Sequence, residues 1–224
     1  MIDIYKRKID YIRISITDRC NLRCVYCMPE NGINLVKHDD ILSYEEIIRL
    51  CRMFSKLGIS KVKITGGEPL VRKDVYKLIK GIKEVEGIEN VTLTTNGILL
   101  EGMIDDLVKS GLDAVNISID TLKDDTYKSL TRVGDVNKVL NGINECLKYK
   151  DLKVKINCVP IKGKNEGELI DLLKLSKDND ISIRFIEMMP IGLGKNMNGL
   201  NDEEVKSLIE DNIGKLTAFD GKLG

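Results

Sequence analysis

Three cysteines stand within eight residues, Cys20-Asn-Leu-Arg-Cys24-Val-Tyr-Cys27, in a chain of 224 residues that has six in all. Thiolates gathered at C-x3-C-x2-C spacing hold soft metals. A structural zinc site takes four protein ligands, usually as two separated pairs. Here there is one cluster, no second pair, and a single histidine, His38, in an unpatterned polar stretch. Two readings stand: a catalytic zinc on three thiolates, or a four-iron cluster with one iron left open for a further ligand. Cys51, Cys146 and Cys158 are scattered. Cys51 lies on the stripe Ile47, Ile48, Leu50, Cys51, Phe54, Leu57, and Cys146 on Val139, Leu140, Ile143, Cys146, Leu147. Helical spacing of that kind marks core positions, where free cysteine is common.

Four further segments could do chemistry beside the triplet. Thr65-Gly66-Gly67-Glu68-Pro69 has paired glycines that let backbone approach a ligand, and a carboxylate able to receive an ammonium. Thr94-Thr95-Asn96-Gly97 is a turn that exposes two hydroxyls and an amide. Ser118-Ile119-Asp120 and Glu187-Met188-Met189-Pro190-Ile191-Gly192 complete the set. Each alone reads as an ordinary turn.

What must position them is a series of short β-like runs, each followed by a turn and a helical pattern. Strands are expected at Tyr11–Thr17, Lys61–Thr65, Val91–Thr95, Ala114–Ile119, Leu152–Val159 and Ser182–Glu187. Helices are expected near Ser43–Leu57, Val71–Val85, Met103–Lys109, Asp135–Lys148, Glu166–Lys177 and Asp202–Asp211. The first opens with Ser43 and has Glu46 three residues on, a capping box. Alternating strands and helices predict an α/β fold with a parallel sheet. No linker divides the chain, so one domain over residues 1–224 is expected. The candidate loops then share the rim at the strand C-termini, where chemistry collects in such folds.

The strands alternate in polarity, with Arg13, Lys61, Lys63, Thr92, Thr94, Asn116, Lys153, Lys155, Asn157 and Arg184 on the polar set. Period two puts these on one face. With the helices on the apolar face, the polar face is concave, as in an open or partial TIM-type (β/α)6 barrel. Six cations line it, with Asp120 the chief acid nearby. Such a cavity favours a polyanion, most simply a phosphate ester.

The rest of the composition excludes other classes. Lys plus Arg (35) equals Asp plus Glu (35), so no global basic field for nucleic acid exists. No apolar run is long enough for a membrane span, and the first residues lack a secretory signal. A cytoplasmic setting with reduced thiols is expected.

The triplet after the first strand, with Gly-Gly-Glu-Pro after the second, resembles the radical S-adenosylmethionine enzymes. The fuller strings are narrower: Arg13-Ile-Ser-Ile-Thr-Asp-Arg-Cys-Asn-Leu-Arg-Cys-Val-Tyr-Cys-Met-Pro, Lys61-Val-Lys-Ile-Thr-Gly-Gly-Glu-Pro-Leu-Val-Arg and Arg184-Phe-Ile-Glu-Met-Met-Pro-Ile-Gly. They resemble the GTP 3′,8-cyclase family of molybdenum cofactor biosynthesis, from near residue 5 to the end of the chain. The resemblance implies a [4Fe–4S] cluster on Cys20, Cys24 and Cys27, with S-adenosylmethionine met by Tyr26 (through its backbone), Gly67, Ser118 and Met189. It implies GTP held by Arg13, Lys63, Thr94 and Lys155, in a cavity that also takes in Lys61, Glu68, Asn96 and Arg184. Arginine is frequent in the family where Lys63 stands, and lysine keeps the charge without the bidentate fork. The implied lyase chemistry removes the C3′ hydrogen of GTP with a 5′-deoxyadenosyl radical and joins C3′ to C8, giving 3′,8-cyclo-7,8-dihydro-GTP. An electron donor, a downstream cyclic pyranopterin monophosphate synthase and a homodimer are the implied partners.

The family also carries a second cysteine triplet for another cluster and a Gly-Gly tail. No cysteine follows Cys158 here, so the expectation is an N-terminal portion of such an enzyme. Two alternatives remain: another radical S-adenosylmethionine enzyme, for instance a peptide-modifying one, and a non-catalytic iron–sulfur or zinc scaffold.

Overall fold

The computed structural model describes residues 2–218. Six parallel strands form one sheet in sequential order: β1 (Tyr11–Ser15), β2 (Lys61–Thr65), β3 (Asn90–Thr95), β4 (Ala114–Ser118), β5 (Lys153–Cys158) and β6 (Ile181–Phe185). β1 and β6 are edges, so the sheet is not closed. The helices are α1 (Tyr44–Lys56), α2 (Val75–Lys83), α3 (Ile104–Lys109), α4 (Asp124–Thr131), α5 (Val136–Cys146), α6 (Leu169–Lys174) and α7 (Asp202–Asn212). All six expected strands are present, within two residues at each end.

One core joins the sheet to the helices. Val62, Ile64, Val91, Leu93, Val115, Ile117, Val154 and Ile156 meet Ile47, Leu78, Ile79, Ile82, Leu107, Val139, Ile143 and Leu172, all buried. Burying one such side chain contributes about 1.5–3 kcal/mol, so this face fixes the strand register. At α1 the capping box forms: the Glu46 N–H donates to Ser43 Oγ at 3.2 Å, and the Ser43 N–H to Glu46 Oε2 at 2.7 Å. No helix among the described residues is long and apolar enough to cross a membrane.

Three expectations are corrected. The helix expected at Val71–Val85 begins at Val75: the 3-10 turn of Pro69–Val71 closes on extended Arg72, and Asp74, with φ 57 and ψ 32, stands at the N-cap of the helix that follows. The segment Asp124–Thr131 is a helix that the sequence reading left out. Its eight residues bury only Tyr127, Leu130 and Thr131, too short a stripe to read as periodic. The concave face is also less wet than expected. Asn116 is 2% exposed and Lys155 8%, both on the central strands β4 and β5.

Candidate functional site

The cysteine loop begins where β1 ends, and the loop after β2 is laced to it. The Gly67 N–H donates to the Thr17 carbonyl at 2.6 Å and the Glu68 N–H to the Arg19 carbonyl at 2.7 Å. A Cβ on Gly66 would stand 2.7 Å from the Thr17 carbonyl, and one on Gly67 would fall on the Arg19 carbonyl. The paired glycines are therefore required by close passage of the chain that carries Cys20.

Within the loop, the N–H groups of Cys27 and Met28 both donate to the Cys24 carbonyl at 3.0 Å, a tight turn that brings Cys24 and Cys27 to one side. Arg23 braces the strand side, its Nη1 donating to the carbonyls of Cys20 and Leu22 at 2.7 and 2.8 Å. Cys20 Sγ accepts from the Leu22 N–H at 3.4 Å and faces Asn96 Nδ2 at 3.9 Å. Cys27 is exposed, Cys20 and Cys24 half-buried. All three thiols are pushed up by burial first, and Cys20 and Cys24 also by the charges of their fellow thiols, Cys24 to about 12. The three are thus electrostatic neighbours.

This donor set fits an open-site cluster. It offers three thiols on a braced loop with no fourth protein ligand. In a four-iron cluster each of the three thiolates takes its own iron, and the fourth iron is left without a protein ligand.

Glu68 is bonded within the rim. Its carboxylate is buried and accepts from the N–H of Leu70 (3.0 Å), Thr95 Oγ1 (2.7 Å) and the N–H of Asn96 (2.6 Å). It ties the loops after β2 and β3 together. Burial raises its pKa, against those three donors. Asn96 passes the connection on, donating to Asn21 Oδ1 at 2.7 Å. Behind the triplet, Tyr26 donates its hydroxyl to Asp120 Oδ2 at 2.7 Å, and the Val159 N–H donates to Asp120 Oδ1 at 2.8 Å. Burial pushes the Asp120 carboxyl up. Loops after β1, β2, β3, β4 and β5 thereby become one bonded rim, with Gly67 exposed on it, Ser118 half-buried at the end of β4, and Met189 exposed in the loop after β6.

The cations sort into two groups. Register places Arg13 opposite Lys63, Lys63 opposite Thr92, Asn116 opposite Lys155 and Thr94, and Asn157 opposite Arg184. Burial and then the charges of Arg13, Arg184 and Lys155 lower the Lys63 pKa; burial and then Arg184 and Lys153 lower that of Lys155. Arg13, Lys63, Lys155 and Arg184 therefore share one field. Lys61 lies at the other end of its strand and pairs with Asp10 at 3.6 Å, and Lys153 is exposed at the start of β5. Both stand at strand starts, away from the rim, although the Lys153 charge still acts on Lys155. Lys63 also sits 5.8 Å from the Tyr11 ring centre, whose hydroxyl accepts from Arg13 Nε at 3.4 Å.

Sequence reasoning missed Arg132 and the end of α4, which hold the cysteine loop from behind. The only signal was the polar, acid-started run Asp124-Asp125-Thr-Tyr-Lys-Ser-Leu-Thr131.

Comparison with known proteins agrees with this geometry. The pattern of the Radical SAM superfamily matches residues 14–176. A GTP 3′,8-cyclase of Clostridium botulinum (strain Hall) is 48% identical over 95% of this chain and 68% of its own length. One of Limosilactobacillus fermentum is 51% identical over 85% of this chain and 57% of its own length. Among solved structures, Streptococcus suis SuiB bound to precursor peptide SuiA has a TM-score of 0.76 at 20% identity, covering 91% of this chain and 46% of that one. At that identity the likeness concerns the fold alone. The chain belongs to the radical SAM superfamily, whose members use a [4Fe–4S] cluster and S-adenosylmethionine, and within it to the GTP 3′,8-cyclase family.

Proposed function

We propose that this chain binds GTP beneath a rim-held cluster and carries the first, radical step of its 3′,8-cyclisation. The observation that supports this most is the placement of Arg13, Lys63, Lys155 and Arg184 in one field on the floor below the cysteine loop. Four clustered cations suit a triphosphate, since each charge-assisted contact is about twice as strong as a neutral one. Cys20, Cys24 and Cys27 would hold the cluster, and the backbone at Tyr26 and Gly67, with Ser118 and Met189, would meet the methionine part of the cofactor. When bound, the cluster and cofactor supply a carbon-centred radical able to take the C3′ hydrogen of GTP.

The protein's part is orientation and exclusion of water. Arg13, Lys63 and Lys155 anchor the phosphates and Thr94 offers a hydroxyl to the nucleoside, so that the ribose lies toward the rim. Arg184 reaches the same space from β6, whereas Lys61 acts on the approaching anion only through its field. Lys63 binds as a point charge, without the fork of an arginine. Only one cluster has exposed ligands in this sequence, because Cys51, Cys146 and Cys158 are 0% exposed. The reading takes the chain as one cytoplasmic domain working with an electron donor, and with a downstream cyclic pyranopterin monophosphate synthase that consumes the product.

The test is anaerobic. Iron-loaded protein is reduced with dithionite in the presence of S-adenosylmethionine and GTP deuterated at C3′. Deuterium in the released 5′-deoxyadenosine is the expected result. Cleavage without label transfer would contradict GTP as substrate.

A further inference from the structure

α4 contains no ligand or motif residue, yet its C-terminal end is bonded to the cysteine loop at four points. The carbonyls of Leu130 and Thr131 accept the N–H groups of Val25 and Arg23 at 2.8 and 3.1 Å. Arg132 Nη1 then donates to the carbonyls of Arg23 at 2.7 Å and Met28 at 3.0 Å. Those two carbonyls flank the Cys24–Cys27 turn on either side. One guanidinium nitrogen therefore sets the distance between the two ends of the turn.

The backbone at this point is unusual. Arg132 adopts φ 60 and ψ −32, one of three non-glycine residues with positive φ among the described residues. An L side chain disfavours that conformation, and it persists only where surroundings over-determine it. Here the surroundings are the two carbonyl contacts of its own side chain. Two residues on, Gly134 has φ 118, and a Cβ there would meet Leu22 Cδ2 at 2.8 Å and the Tyr127 ring at 3.1 Å. The segment after α4 is thus pressed against the cysteine loop, with no side chain between them.

We infer that Arg132 is a positioning residue that holds the Cys24–Cys27 turn in its ligand-ready shape before any metal arrives. Only its consequence for the cluster rests on the reading of the cysteines as iron ligands; the clamp belongs to the metal-free chain. Arginine suits the task because it stays charged at any working pH and its planar fork is pre-organised. A lysine ammonium also has donors for two carbonyls, but on a flexible stem without the fixed plane that holds Nη1 in place.

The test uses the chain with Arg132→Ala, Arg132→Gly and Arg132→Lys. In the metal-free protein, amide hydrogen exchange of the peptide covering residues 20–30 should rise roughly tenfold in the Ala and Gly variants, and less in Lys, since hydrogen bonds from a charged donor are lost. Exchange in β3 and α5 should stay as in the wild type. Arg132→Gly relaxes the backbone, so it should melt no lower than Arg132→Ala while losing the same loop order. After anaerobic iron loading, both should release iron to a chelator roughly ten times faster than the wild type, the low end of what supporting partners of metal ligands show. Their reduced EPR spectrum with S-adenosylmethionine should contain more than one species, and Arg132→Lys should recover part of both signals. Unchanged exchange at residues 20–30 in the Ala and Gly variants would overturn the clamp. Raised exchange with unchanged iron release would overturn its role in positioning. A wild type that takes up no iron would sink the cluster reading instead, and the exchange experiment would still decide the clamp.

Discussion

The six cysteines occupy two kinds of surroundings. Cys51, Cys146 and Cys158 come from α1, α5 and β5, elements far apart in sequence, and each is sealed at 0% exposure. Cys20, Cys24 and Cys27 share one irregular loop and remain half-buried or exposed. Burial raises the thiol in both sets, to about 11 at Cys51, where it acts alone. At Cys24 the Asp120 carboxylate and two other thiols add to it. A cysteine in regular structure is here a small apolar side chain. One on a loop held by Arg23, Arg132 and the glycine passage keeps its sulfur within reach of the surface, as the proposed ligand role requires. The backbone around the sulfur separates the roles, not the residue type.

Replacing members of each set should break the comparison in opposite ways. The largest effect belongs to Cys24→Ser: iron uptake on anaerobic reconstitution should fall to background, while the melting temperature of the metal-free protein stays close to wild type. Cys146→Ser should do the reverse. A hydroxyl in the apolar seam of α5 without a partner costs about 1–3 kcal/mol, readable by urea denaturation, with iron content unchanged. If Cys146→Ser also lost its iron, the division between the sets would fail.

Lys63→Ala sharpens the contrast between rim and floor. It should weaken GTP binding by roughly tenfold, about the loss of one charge-assisted contact, and leave the iron spectrum as it was. Calorimetry of the metal-free chain reads the first part. Because burial and then neighbouring cations hold the Lys63 pKa below its usual value, an arriving triphosphate should raise it again. Binding should then take up protons at alkaline pH, and this uptake should shrink in Lys63→Ala. The smallest effect is at Tyr127. Its hydroxyl is buried and has no partner, so Tyr127→Phe should stabilise the fold by up to about 1 kcal/mol without changing iron uptake.

Much of this was legible in the sequence, for identifiable reasons. The strands could be read because period-two polarity is imposed by burial of one face, and α1 because Ser43 and Glu46 announce its start. The triplet and the glycine pair are local signals, since each works through its own backbone. The bonds of Glu68 could not be read, because its partners Thr95 and Asn96 lie a strand away. Alternation tells which face Lys61 and Lys153 take, but not that both stand at the starts of their strands. α4 stayed hidden for a related reason. Its value lies in contacts to residues about a hundred positions earlier, and nothing in its eight mostly polar residues encodes them.

The central claim is that the triplet alone holds an open-site cluster and the buried cysteines hold nothing. Anaerobic reconstitution with iron and sulfide, followed by metal analysis and EPR of the reduced protein with and without S-adenosylmethionine, tests it most directly. The account predicts about four irons per chain and a spectrum that shifts when the cofactor is added. Zinc in place of iron, or a spectrum indifferent to S-adenosylmethionine, would contradict it.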